Sequence, residues 1–356
     1  MKKTGSKEVA GVVTMTDVAK YAGVSKMTVS RVLNNNGYVK EETREAVLEA
    51  VKALDYRPNL LAKSLVTGRT NIIAYALPDI GDPYFGNVCK GTADVCAELG
   101  YNSIIANVAS ADGVDNFLNM VIDRKIDGVI FHHMCLTEAQ VQLLTDSGIA
   151  SVLVDNEKLL DNAIDIANDN YNGACLATEY LISRGYRRIA YVRGNRPNDS
   201  HPDMNYPEVF QERIWEDRTK GFLDTMEKHG MEPFAVYHGR GSAAMDKAFL
   251  CGQQLMQQIL SQPELPDAIY CQSDMIALGL LGEMLEKGVS CPDTIALCGH
   301  DGLDTCRYLY PRVTTVVQPQ YEIGRMAAQA LIAAIEGNPQ PDTAVNSTLF
   351  IGDTTR

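Results

Sequence analysis

The chain has 356 residues, 46% of them hydrophobic and 22% charged, with a formal net charge of -13. That length allows two or three domains whose cores need no disulfide or metal staple. No apolar run reaches the roughly 18 residues of a membrane span, and the charged start from Met1 to Glu8 lacks the apolar stretch of a secretory leader; the expectation is a cytoplasmic protein with no membrane partner.

The net charge hides an asymmetry. Residues 1 to 69 carry 12 Lys and Arg against 7 Asp and Glu, a net of +5, whereas residues 70 to 356 carry 20 against 38, a net of -18. A basic head on an acidic body can hold phosphates at one end only. In the head, Thr14-Met15-Thr16-Asp17 has the form of a capping box and opens a short helix with Val18, Ala19 and Ala22 on its apolar stripe. Gly23 breaks it. Ser25 is a good N-cap for a second helix, with Val29, Val32 and Leu33 on one side and Lys26, Met27, Ser30 and Arg31 on the other. A third helix from about Glu41 to Leu54 repeats apolar residues at spacings of three and four and stops at Tyr56-Arg57-Pro58. Periodicity alone fits an ordinary three-helix domain as well as a DNA reader.

The run from Thr16 to Asn34, continued by Thr43-Arg44 and Tyr56-Arg57-Pro58-Asn59, closely resembles the helix-turn-helix signature of the lactose/galactose repressor family. The resemblance implies that Lys26, Met27 and Arg31 reach base edges. The guanidinium fork of Arg31 can bond guanine O6 and N7 together, worth about 1 to 3 kcal/mol of discrimination. Thr14, Ser25, Thr28, Ser30, Asn34 and Tyr38 are then backbone contacts, with helix capping an equally good reading for Thr14 and Ser25. Residues 59–70 resemble the family's hinge helix, in which a leucine at the position of Leu65 wedges into the minor groove and kinks the duplex; packing in a linker is the plainer alternative.

From Asn71 onward apolar runs alternate with helical stretches. Strands are predicted at 72–77, 103–108, 128–131 and 151–154, then at 188–192, 234–238, 268–271 and 294–298. This is βαβ grammar in two similar lobes, and ligands in such sheets sit beyond the carboxyl ends of the strands. The stretches 78–85, 169–173, 218–222, 273–279 and 311–316 resemble the periplasmic-binding-protein-like core of the same family. The expected architecture is therefore a small all-α helix-turn-helix head, residues 1–58, a hinge, and an α/β core of two parallel-sheet lobes, residues 71–356. Lobe 1 is expected at about 71–168 and 302–331, and lobe 2 at about 169–301 and 332–356. By resemblance Tyr84 and Phe85 line the cleft from the first lobe and Arg218 and Asp274 from the second, a set that suits a polyhydroxylated ligand. Core filling by the two aromatics and helix capping by Asp274 are the alternatives. His132 and His133 end the third strand; adjacent strand residues point to opposite faces, so one is expected to face the ligand and the other the core, with no shared metal.

Three features depart from the family. Gly194 to Arg218 is long and reads as an irregular loop, His300 and Gly302 replace an aromatic and an acidic residue, and no leucine heptads follow the core. Nine cysteines without a C-x-x-C pair read as reduced thiols, mostly buried, with no disulfide framework or zinc site. Gly239 to Ala244 fits G-x-G-x-x-A, but it follows a late strand and no acidic residue closes a further strand about twenty positions on, so a dinucleotide-binding enzyme is a distant alternative. No cofactor and no enzymatic activity are expected. The sequence reads as a homodimeric transcription regulator, a repressor by the family's common form, that binds a near-palindromic operator in double-stranded DNA under control of a small polar metabolite such as a sugar. Control by a protein partner or by a nucleoside or nucleobase is the alternative.

Overall fold

A computed structural model describes residues 13–33, 36–57, 64, 68–108, 111–134, 136–156, 160, 163–194, 209–239 and 245–356, with the backbone alone at 111, 209–212 and 245–247. The chain divides into two compact units, Met1–Thr70 and Asn71–Arg356.

In the first unit, α1 (Met15–Tyr21), α2 (Lys26–Leu33) and α3 (Glu41–Ala53) close around Val18, Ala19, Val29, Val32, Val47, Ala50 and Tyr56. Asp17 accepts hydrogen bonds from the backbone N–H and the hydroxyl of Thr14, at 2.9 and 2.7 Å, which fixes the start of α1. Gly23 turns the chain with a φ of +64°, a conformation open to glycine at no steric cost. Ser25 Oγ then accepts from Thr28 N at 3.1 Å and starts α2 as its N-cap.

The second unit holds two six-stranded sheets. The first has the order β11-β5-β4-β3-β1-β2, built from β1 (Ile72–Leu77), β2 (Asn102–Asn107), β3 (Gly128–His132), β4 (Ala150–Val154), β5 (Ile164–Asn168) and β11 (Thr343–Val345), all parallel. The second has the order β12-β10-β9-β8-β6-β7, built from β6 (Ile189–Arg193), β7 (Ala235–His238), β8 (Ala268–Cys271), β9 (Ala296–Asp301), β10 (Thr314–Val317) and β12 (Thr348–Phe350); only β12, beside β10, runs antiparallel. The central strands are near-continuous apolar runs because helices cover both faces. Among the described residues no helix is long and apolar enough to cross a membrane, and the eight described cysteines form no disulfide.

Helices α4 (Pro83–Leu99), α5 (Ala111–Asp123) and α6 (Glu138–Ser147) belong with the first sheet, and α7 (Asn170–Ser183), α8 (Val209–Lys228), α9 (Met245–Leu260), α10 (Asp274–Glu286) and the short α11 (Asp304–Tyr308) with the second. The last helix, α12 (Gln320–Ile335), returns to pack against α4, β3 and β4. The lobe boundaries therefore differ from those expected. Residues 302–318 stay with the second sheet, because β10 pairs with β9 from Thr314↔Cys298 to Val317↔Asp301. Residues 320–345 stay with the first, because β11 pairs with β5. The three-residue β11 and β12 are too short to read from alternation, so the third crossing between lobes is invisible in the sequence. The stretch expected to be irregular up to Arg218 is helical from Val209; 195–208 lie outside the described residues.

Three helix pairs cross at close glycines. A Cβ added to Gly91 or Gly324 would lie 2.0 Å from Tyr321 O or 1.9 Å from Val88 O, where α4 meets α12. Gly252 and Gly279 do the same for α9 and α10, and Gly221 for α8 against α7.

Candidate functional site: a reading helix and a two-walled cleft

On α2 the apolar and polar faces separate as the periodicity predicts. Val29 and Val32 are buried, while Lys26, Met27 and Arg31 are exposed, Met27 at 66%. An exposed methionine amid cations on a helix of eight residues is not needed by the three-helix core. Tyr38 is 89% exposed, and Ser25 and Thr28 share a hydroxyl contact of 2.8 Å, so the capping reading of Ser25 holds beside any role toward phosphate. Asn34 and Leu65 lie outside the described residues.

The cleft wall of the first lobe forms at the carboxyl ends of β1, β3, β4 and β5. Asp82 caps α4 by accepting from Tyr84 N at 2.9 Å, and Pro83 occupies the first turn, which places Tyr84 and Phe85 at the helix start. Tyr84 stacks on His133, with ring centres 5.9 Å apart and planes 12° from parallel, and Phe85 meets His132 edge-on at 5.0 Å. The two histidines do not point apart as strand alternation predicts: their ring centres are 4.5 Å apart. The reason is that β3 ends at His132, and His133 adopts a φ of +52°, which turns its side chain back to the same side. Asp155, beyond β4 with a φ of +50°, lies against both imidazoles, with Oδ2 at 3.3 Å from His133 Nε2 and 3.8 Å from His132 Nε2. Burial alone would push the Asp155 carboxyl up, but the two imidazoles outweigh it and hold it far below the carboxylate range. Asn168, ending β5, donates its N–H and its Nδ2 to Asp155 and also reaches Tyr84 Oη at 3.1 Å.

The opposite wall centres on Arg218. Its Nε donates to Asn170 Oδ1 at 2.8 Å, and its Nη1 donates to Gln272 O at 2.6 Å and to Asp301 Oδ1 at 3.1 Å. Gln318 Nε2 joins at Asn170 Oδ1. Burial pushes the Asp301 carboxyl up and Arg218 opposes the rise. Gln320 links the two walls: its Nε2 donates to Asp301 O at 2.9 Å and its Oε1 accepts from Asn87 Nδ2, one turn past Tyr84 on α4, at 3.2 Å. Asp274, expected to touch ligand, does not stand in this wall. It is fully buried, its Oδ2 accepts from Leu303 N at 2.7 Å and its Oδ1 from Thr315 Oγ1 at 2.6 Å. It ties α10 to the turn after β9 and to β10, and the N-cap of α10 is Ser273. Asp301 holds the carboxylate facing Arg218 instead. The signal for it was the Gly299-His300-Asp301-Gly302 stretch; Asp155 and Asn168, at carboxyl ends of strands, were likewise missed.

A Tyr–His pair lies under each wall: Tyr75 Oη is 2.6 Å from His132 Nδ1, and Tyr270 Oη is 2.6 Å from His300 Nδ1. Burial, with Arg218 nearby, holds the His300 imidazole well below its usual range, so the folded chain refuses a proton that an unfolded histidine takes up near pH 6.5. Below that pH the unfolded state binds more protons, and stability falls as pH drops, by up to about 1.4 kcal/mol per pH unit for each such group. His300→Phe is expected to flatten this slope by up to one group's share, whatever it costs at pH 7. Denaturant melts between pH 7 and pH 5 measure it, and an unchanged slope would show that His300 titrates alike in both states.

Residues 14–59 match the family described as bacterial regulatory proteins, lacI family, and residues 178–355 match the periplasmic binding protein-like domain. The ribose operon repressor of Halalkalibacterium halodurans is 32% identical over 327 residues, covering 92% of this chain and 91% of its own length. The HTH-type transcriptional repressor PurR of Actinobacillus pleuropneumoniae is 29% identical over 91% of each chain. Among solved structures, the lac repressor dimer bound to operator and the anti-inducer ONPF superposes with a TM-score of 0.81 over 97% of this chain and 99% of that one, at 23% identity, a likeness of fold.

Proposed function

Because the chain belongs to the lacI family of bacterial regulatory proteins, we infer that it is a transcription repressor that binds operator DNA and whose operator affinity is set by a small polar metabolite in the cleft. The observation that carries the DNA half is the face of α2, where Lys26, Met27 and Arg31 stand exposed beside a buried Val29 and Val32. Lys26, Met27 and Arg31 read base edges, and Thr14, Ser25, Thr28, Ser30, Asn34 and Tyr38 hold the backbone. One reading helix spans only a few base pairs, so two chains engage the half-sites of a near-palindrome as a homodimer, with residues 59–70 as the hinge and Leu65 as the minor-groove wedge.

In the cleft the guanidinium of Arg218, the carboxylate of Asp301 and the rings of Tyr84 and Phe85 fit a sugar or sugar derivative, with an aromatic surface for the ring and charged partners for the hydroxyls. A relative named for a ribose operon favours this class. To change operator affinity a thousandfold, the metabolite must prefer one arrangement of the lobes by about 4 kcal/mol.

Arg31→Ala tests the reading. It is expected to cost about 1 to 3 kcal/mol at one base pair of each half-site and to leave binding to a site altered at that pair nearly unchanged. Competition binding with single-base operator variants measures it. A uniform loss on every duplex would place Arg31 on phosphate.

A further inference from the structure

We propose that His132, His133 and Asp155 form a binding site for a divalent transition-metal ion of the zinc class in the first-lobe wall, with one coordination position open to the cleft. One ligand atom from each of the three residues lies within 4.8 Å of the others, and Asp155 Oδ2 is 3.8 Å from His132 Nε2 and 3.3 Å from His133 Nε2. Bonds of about 2.0 to 2.2 Å in a tetrahedron put ligand atoms roughly 3.3 to 3.5 Å apart, so the site closes on an ion with modest side-chain shifts. Two imidazoles and one carboxylate suit zinc, cobalt or nickel; calcium and magnesium favour oxygen ligands in greater number.

A second observation is independent of that spacing. His132 is fully buried and its Nε2 has no hydrogen-bond partner, since 3.8 Å to Asp155 is too long for one. Its other nitrogen is held by Tyr75 Oη at 2.6 Å. With Nδ1 engaged by Tyr75, Nε2 faces the carboxylate across a gap too wide for a hydrogen bond, and an ion held between them would serve both. Asp155 is oriented from behind by Asn168, and both His133 and Asp155 sit in left-handed backbone conformations that aim their side chains into the cluster. His133 is 22% exposed in its side chain, which provides entry from the cleft.

The test needs neither effector nor DNA, so its failure leaves the regulator reading standing. Full-length chain without an affinity tag, stripped by chelator, is titrated with Co2+ and then with Zn2+. The expected result is one cobalt per chain with the visible spectrum of a four-coordinate site, no thiolate charge-transfer band, and displacement by zinc. His133→Ala is expected to weaken binding by more than about 100-fold with its melting transition retained, and Tyr75→Phe, which touches no metal, by about 10- to 100-fold. The proposal is overturned by the absence of stoichiometric binding, by affinity unchanged in both variants, or by a thiolate spectrum, which would assign the ion to cysteine.

Discussion

Arg218→Ala is expected to lower the stability of the Asn71–Arg356 unit by about 3 to 5 kcal/mol and to abolish the response of operator binding to effector. The side chains of Arg218 and Asp301 are 6% and 14% exposed, so their pairing takes place largely out of water. The guanidinium serves three acceptors at once, Asn170 Oδ1, Gln272 O and Asp301 Oδ1; its removal takes a donor from each, and only Asn170 Oδ1 keeps another, from Gln318. Most of the loss comes from the stranded carboxylate. Burial already raises Asp301 against the opposition of Arg218; without that opposition the group rises further and holds its proton in the folded state. An acid whose folded value is raised loses stability as pH climbs from its unfolded value to its folded one; Asp301 is already raised to about 8 beside Arg218, so the two proteins run in parallel at lower pH and the deficit of the variant should widen from pH 7 to pH 9. Denaturant melts at the two pH values measure it. Arg218→Lys keeps the charge but replaces the planar fork with one ammonium, and an intermediate deficit is expected. A deficit below about 1 kcal/mol at pH 9 would mean that Asp301 is solvated or held by another cation, and that the pair is not the centre of the second wall.

Such a pair is only half legible in a sequence. Arg218 could be placed in the cleft because it heads a well-matched stretch, but its partner could not be told apart from Asp274, which also follows an apolar strand and starts a helix. What separates them is tertiary: Thr315 and Leu303 consume both oxygens of Asp274, and a Cβ at Gly299 would lie 2.1 Å from one of them. The histidines failed for a local reason. Period-two alternation holds only inside a strand, and one left-handed residue at its end, His133, reverses the outcome. The reading head was legible because its signals are all short-range: a capping box, a breaking glycine, a stripe at spacings of three and four. The long apolar strands were legible by the same logic. β5 is half exposed along its Asp165 and Ala167 side, and β11 and β12 have three residues each, so none of them has a run strong enough to stand out. The second and third lobe boundaries went astray with them, since those crossings lie after β10 and between β11 and β12.

The crossing of α4 and α12 yields the other large effect, and there the same exchange has opposite signs at two glycines of the helix pair. Gly→Ala inside a helix ordinarily stabilises by about 1 kcal/mol, because glycine loses more backbone freedom on folding. Gly86→Ala, at an exposed position in the first half of α4 with nothing within 4 Å of the added carbon, should follow that rule. Gly324→Ala should reverse it and destabilise by about 3 kcal/mol. The added carbon would sit 1.9 Å from Val88 O and 3.0 Å from Thr92 N, both backbone atoms, so no rotamer change relieves the clash. Only separation of the two helices does, and that also stretches the 3.1 Å bond from Thr92 Oγ1 to Gly324 O and loosens buried Val88, Ile323 and Ala327. The strain reaches the cleft from both ends. Helix α4 begins with Tyr84 and Phe85, and α12 begins with Gln320, whose Nε2 donates to Asp301 O at 2.9 Å. Gly324→Ala should therefore weaken effector response as well as stability, whereas Gly86→Ala should leave the response intact. Paired melts and effector titrations of the two variants decide it: stabilisation by both would show that the helices part freely, and that the close glycine crossing neither limits the fold nor positions the first wall.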